Sequence, residues 1–126
     1  MGGRVVHFEI PADDLARAQE FYRSAFGWEI NSMPGVEYAL ASTTPTDDQG
    51  MPTELGAING GLLTRQDPVT TTVITIDVED IDKALDTISS LGGSTVRGKE
   101  AVMDIGFAAY FRDCEGNLMG LWQSIG

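Results

Sequence analysis

Five side chains in this sequence have the types and spacing to recognise a small molecule. His7 and Glu9 stand two residues apart in VVHFEI. In a strand that spacing puts both on one face, because successive side chains alternate. A neutral imidazole near pH 7 serves as a base or as a hydrogen-bond partner. The carboxylate beside it supplies an acceptor or a counter-charge. Thr75 and Asp77 repeat the spacing in TTVITID. Trp122 alternates with Gly120 and Leu118 in LMGLW and offers a flat surface for stacking. Together, His7, Glu9, Thr75, Asp77 and Trp122 are the expected ligand pocket, with the loop over 43–55 near its mouth. No residue is assigned a catalytic role. Each also has a plainer reading: a hydrogen-bonded wall histidine, paired or solvated carboxylates, a packed aromatic.

Other chemistries find little support. Cys114 is the only cysteine and lies in the turn sequence Asp113-Cys114-Glu115-Gly116. It has no intramolecular disulfide partner, and acidic neighbours disfavour its thiolate. A chain without a disulfide is expected in the cytoplasm. Gly60-Gly61 lacks the strand–GxxxxGK–helix setting of a phosphate loop and reads as a bulge or a close strand contact. The formal net charge of −11 argues against a nucleic-acid partner, which calls for a basic footprint. The same charge favours solubility and attracts cationic small molecules. No apolar run approaches the ~20 residues of a membrane span. MGGRVVHFEI shows no charged segment followed by a long apolar one, so no secretory signal is expected.

The elements that position these residues come in two copies. Residues 5–30 and 71–96 share a pattern at an offset of 66. Asp14-Leu15 falls on Asp80-Ile81, Ala18 on Ala84, Gly27 on Gly93 and Ile30 on Val96. Two copies are too few for a solenoid, but two strand–helix–strand units can enclose a cleft. In the first copy Val6, Phe8 and Ile10 alternate with Val5, His7 and Glu9. A helix then follows Pro11. It is capped by Asp13 or Asp14, carries Leu15, Ala18, Phe21, Tyr22 and Ala25, and ends at Gly27. Trp28 is expected in the core, with strands from Trp28, over about 37–42 and over 56–63. In the second copy Asp80 caps a helix with Ile81, Ala84, Leu85, Ile88 and Leu91, which stops at Gly92-Gly93. Strands follow at about 94–97, 107–112 and 117–123. The expectation is an α+β domain over 1–126: a βαβββ module at about 4–63, a linker at 64–70 and a second module at about 71–123.

HFEIPADDLARAQEFYRSAFGWEI, INGGLL, VITIDVEDIDKALDTISSLGG and DCEGNLMGLWQ resemble the vicinal oxygen chelate superfamily. That superfamily includes glyoxalase I, the bleomycin-resistance proteins and extradiol dioxygenases. The nearest likeness is to short bacterial members related to lactoylglutathione lyase, and it covers about 5–123. The resemblance implies a glyoxalase/bleomycin-resistance/dioxygenase-type fold with a central cleft, and commonly a homodimer. It also implies four metal-ligand positions. On the first strand of each module the ligand stands eight residues before the helix start, at His7 and Val73. On the last strand it stands four residues after the turn glycine, at Gly60 and Gly120. Val and Gly cannot ligate, and one imidazole does not supply the three or four ligands of a stable site. The expectation is therefore no bound metal and no cofactor.

Two function classes follow. In the first, a glyoxalase/bleomycin-resistance-like protein binds a small organic molecule without metal, and a sequestering protein for a cationic antibiotic fits an acidic cleft. In the second, a metal-dependent lyase, isomerase or dioxygenase needs ligands absent at three of those four places.

Overall fold

In a computed structural model the described residues are 3–48 and 51–125. Gly50, assigned to the 43–55 loop, lies outside them. Among the described residues are eight strands and two helices: β1 Val5–Ala12, α1 Leu15–Phe26, β2 Glu29–Ser32, β3 Tyr38–Ser42, β4 Gly60–Thr64, β5 Val73–Asp77, α2 Ile81–Ser90, β6 Ser94–Val102, β7 Gly106–Arg112 and β8 Leu118–Ser124. They fall into two compact units. One is His7–Thr72; the other runs from Val73 onward and includes the residues up to Val6.

In the first unit the strand order is β2-β3-β4-β1. β2 and β3 are antiparallel, β3 and β4 are antiparallel, and β4 runs parallel to β1 with Glu9 opposite Gly61 and Ile10 opposite Leu62. Its core comprises Ile30, Ala39, Ala41 and Leu62, with Phe8, Ile10, Leu15, Tyr22 and Trp28 packed against it. Trp28 stacks on Tyr22 at 4.8 Å, as its expected core place requires. The Asp14 side chain, not that of Asp13, caps α1 by accepting from Arg17 N–H, and Gly27 ends the helix at φ 72°. A left-handed cap of this kind suits a residue without Cβ.

One part of the helical reading is corrected. Phe21 and Ala25 do not join the packed stripe: Phe21 is 58% exposed, and Gln19 is the buried helix residue. At 3.6 residues per turn, Tyr22 lies almost directly above Leu15, whereas Phe21 is rotated about 100° from Tyr22. Gln19 lies on the stripe between them and reaches Ser32 Oγ at 3.4 Å. Arg23 donates to the Ile30 carbonyl at 2.7 Å, which ties α1 to β2.

In the second unit the order is β5-β8-β7-β6. β5 and β8 are parallel, with Thr75 opposite Gly120 and Asp77 opposite Trp122; β8–β7 and β7–β6 are antiparallel. Ile81, Leu85, Ala109, Phe111 and Leu121 form the core under α2. Asp80 caps α2 through Lys83 N–H, and Gln123 Oε1 accepts from Ile81 N–H at 2.8 Å. Leu91 does not pack as expected. It stands at the helix C-cap, 74% exposed, because the helical turn has already ended.

The strand expected over 56–63 begins only at Gly60, and the one expected over 94–97 extends to Val102. Among the described residues of the 43–55 segment, Thr46 bridges to Pro52 and Thr53 N–H donates to the Pro45 carbonyl. Among the described residues no helix is long and apolar enough to cross a membrane.

Candidate functional site

β1 sorts its side chains by parity. Phe8 and Ile10 pack into the core beneath α1, so His7 and Glu9 occupy the opposite face. Glu9 is buried and His7 half-buried. Burial holds the His7 imidazole below its ordinary value of 6.5, and the Glu9 charge opposes that shift. The imidazole is therefore neutral near pH 7, as its expected role requires.

His7 Nε2 stands 2.8 Å from the Tyr38 hydroxyl. Tyr38 belongs to β3, which is two strands away from β1 with β4 between them. Two strand spacings are about 10 Å, so the phenol must cross β4 to reach the imidazole. It crosses at Gly61: a Cβ there would overlap Tyr38 Oη and Cζ. Tyr38 and Gly61 were not among the expected site residues. The signal for them was faint, a glycine doublet in a strand and a tyrosine among small residues.

Gly61 also corrects the count along the last strand. Gly60, the expected ligand-equivalent place, faces the wrong way: a Cβ there would overlap the Phe8 carbonyl and ring, on the α1 side. Gly61, opposite Glu9, is the inward position. The count of four residues lands one too early because β4 starts later than its sequence pattern suggests. Near it, Asn59 Oδ1 accepts from Thr43 N–H at 2.8 Å and so anchors the start of the 43–55 segment, while the buried Asn59 Nδ2 has no hydrogen-bond partner.

In the second unit Val73, Thr75 and Asp77 share one face of β5, with Gly120 and Trp122 on the matching face of β8. Val73 is fully buried, Thr75 is buried, and Asp77 and Trp122 are half-buried. A Cβ on Gly120 would sit 2.7 Å from Thr75 Oγ1. The Trp122 indole lies against Gly106, and its N–H donates to Ser124 Oγ at 3.2 Å. Thus His7 and Glu9 share a face in one unit, and Thr75, Asp77 and Trp122 share a face in the other. Cys114 is exposed in a turn whose Asp113 accepts from the Glu115 and Asn117 N–H groups.

These residues do not make a metal-binding set. In the first unit the pair of places is His7 and Gly61, the latter covered by Tyr38; in the second unit it is Val73 and Gly120, the latter packed by Thr75. Among the described residues no three His, Cys, Asp or Glu side chains group as metal ligands do.

Comparison with known proteins agrees with this architecture. Residues 4–44 match the family model described as bleomycin resistance protein-like N-terminal. The Vibrio splendidus 12B01 member of the glyoxalase/bleomycin resistance protein/dioxygenase superfamily superposes with a TM-score of 0.63 at 19% identity, covering 98% of this chain and 99% of that one. The chain resembles the glyoxalase/bleomycin resistance/dioxygenase superfamily in sequence and shares its fold. Streptomyces coelicolor methylmalonyl-CoA epimerase, in complex with 2-nitronate-propionyl-CoA, superposes with a TM-score of 0.66 at 22% identity over 100% of both chains. The Mycobacterium tuberculosis protein named glyoxylase CFP32 is 27% identical over 92% of this chain. The chain spans 44% of that relative's length.

Proposed function

We propose that this protein binds a small, neutral or cationic organic molecule without a bound metal, and that the His7–Glu9 face contacts it. The observation that carries the reading is a neutral, half-buried imidazole beside a buried carboxylate, on a sheet face whose other inward place is a glycine. This pairing suits hydrogen bonding to an uncharged group and charge complementarity to a cation. The net charge of −11 supports the same preference, since it repels polyanions at long range. Sequestration of a cationic antibiotic fits, in keeping with the bleomycin resistance-like match over 4–44. An acyl-CoA ligand, as in the epimerase complex, fits less well because its phosphates meet an acidic protein.

The face carrying Thr75, Asp77 and Trp122 is the second proposed contact surface. Trp122 supplies stacking there and Asp77 supplies charge. A homodimer in the cytoplasm, with no nucleic-acid partner, completes the reading. The exposed rings of Phe21 and Phe26 on α1 favour self-association.

Thermal-shift screening with cationic glycopeptides, aromatic amines and acyl-CoAs, followed by titration of hits, tests the ligand class. Trp122→Ala is expected to weaken a planar hit roughly tenfold to a hundredfold, by analogy with base–aromatic stacking. Glu9→Gln is expected to weaken cationic hits selectively. Unchanged affinity in both variants removes these assignments. Elemental analysis after dialysis is expected to find far less than one metal per chain. A stoichiometric metal lost in His7→Ala restores the metal-dependent lyase, isomerase or dioxygenase reading. Sedimentation equilibrium at micromolar concentration tests the dimer; a clean 13.5 kDa species sinks it.

A further inference from the structure

We propose that Tyr38 is the positioning residue of the His7 site, and that Gly61 is a glycine so that Tyr38 can hold that place. Three observations meet here. The Tyr38 hydroxyl sits 2.8 Å from His7 Nε2. The space a side chain at position 61 would fill is occupied by the Tyr38 phenol. Position 61 lies opposite Glu9, on the face that carries His7. A long-range hydrogen bond thus spans three adjacent strands, and any residue but glycine on the middle strand would break it.

The consequence is chemical. An imidazole without a fixed partner samples both neutral tautomers, whereas a hydrogen bond to one ring nitrogen selects between them. A phenol donates a hydrogen bond more readily than it accepts one, so Tyr38 O–H donating to Nε2 favours the tautomer with the proton on Nδ1, fixes the ring's orientation and leaves Nδ1–H as a donor. A ligand then meets a pre-set His7–Tyr38 pair rather than a mobile ring, which lowers the ordering cost of binding. The same bond keeps Nε2 from a metal ion. This inference rests on the reading that His7 faces a ligand, and it identifies the residue that sets what His7 can offer.

The chain has one histidine, so its imidazole gives a single, unambiguous set of ring signals. Ring-nitrogen NMR of labelled protein at neutral pH is expected to show one dominant tautomer. Tyr38→Phe keeps the ring and removes only the hydroxyl. It is expected to yield a tautomer mixture and to move the His7 titration midpoint by about half a unit to one unit, the worth of one hydrogen bond. Gly61→Ala leaves His7 and Tyr38 unchanged in kind but forces the phenol aside. It is expected to reproduce the Tyr38→Phe signals. Val36→Ala, at an exposed turn position, is the control and is expected to leave them unchanged. An unaltered tautomer ratio and midpoint in Tyr38→Phe overturns the proposal, as does a folded Gly61→Ala with wild-type His7 signals. If Gly61→Ala does not fold, Tyr38→Phe decides alone. The measurement uses no ligand, so an empty ligand screen counts against the binding reading and not against this one.

Discussion

The two modules have the same frame and different linings. Each is βαβββ, each pairs its first strand in parallel with its last, and each caps its helix with an aspartate bonded to the backbone N–H three residues on. Each even keeps an inward glycine on the last strand, Gly61 opposite Glu9 and Gly120 opposite Thr75. The side chains over those glycines diverge. At Gly120 the short Thr75 fills the space from the adjacent strand. At Gly61 the phenol of Tyr38 arrives from the other side and reaches His7. The frame thus rests on positions that any apolar or capping residue of the right size satisfies. Polar recognition concentrates in the module where the first strand offers His7 and Glu9 in place of Val73 and Thr75.

If the frames are energetically equivalent, matched deletions in the two cores cost matched amounts. Leu62→Ala in the first module and Ile81→Ala in the second each truncate a fully buried side chain. Each should cost about 2–5 kcal/mol, read from urea midpoints with circular dichroism. A difference beyond that range shows that one core collapses around its cavity while the other does not, and that the modules are not mechanical equals.

The caps offer a finer comparison. Asp14→Ala and Asp80→Ala each remove one side-chain acceptor from a helix start, worth roughly 0.5–2 kcal/mol. α2 keeps two supports that α1 lacks, Gln123 Oε1 on Ile81 N–H and Asp82 in its first turn. Asp14→Ala should therefore be the more destabilising of the pair. The reverse order in thermal or urea unfolding would show that the Gln123 bond carries little weight.

Sequence patterns made the frame legible for a physical reason. Strand alternation and helix periodicity are local, so VVHFEI, TTVITID and the two Asp-led helices declared themselves, and the 66-residue offset made each copy support the other. Packing against distant residues was less legible. Phe21 and Leu91 match a helical apolar pattern, yet they lie off the packed stripe and past the last turn. The residue count along the last strand failed at Gly60 because the true strand begins there and not at Gly56. Of the site, His7 and Glu9 could be placed on one face by parity. Tyr38 could not, since its role depends on β3 lying two strands from β1 and on a glycine between them. No periodicity encodes that order.

The smallest effect concerns pH, and it separates the two linings most sharply, because only the first module carries a histidine. His7 is held below its ordinary value of 6.5 by burial, with the Glu9 charge acting against the shift. The unfolded chain, with an ordinary histidine, then binds more protons than the folded one between 6.5 and the lowered value. Stability rises with pH where the unfolded state holds more protons. The His7 contribution is therefore fully present above about 6.5 and is lost progressively as the pH falls below it. Asp113 acts in the same direction in a separate, lower window. Its hydrogen bonds from Asn117 and Glu115 lower its carboxyl below 3.8, so its contribution is lost only beneath that value. Subtracting the unfolding free energies of His7→Gln from those of wild type, from pH 8 down to pH 5, isolates the histidine. The difference should be flat above the ordinary histidine value and should fall below it. Glu9→Gln removes the opposing charge, so it should push the His7 midpoint lower and extend the decline further down the pH scale. A difference curve that is flat throughout would mean that burial does not shift the imidazole at all, and one that rises as pH falls would mean that the imidazole is charged and paired in the folded protein. The contrast between the module with the histidine and the module without it would then have the opposite sign between pH 8 and pH 5.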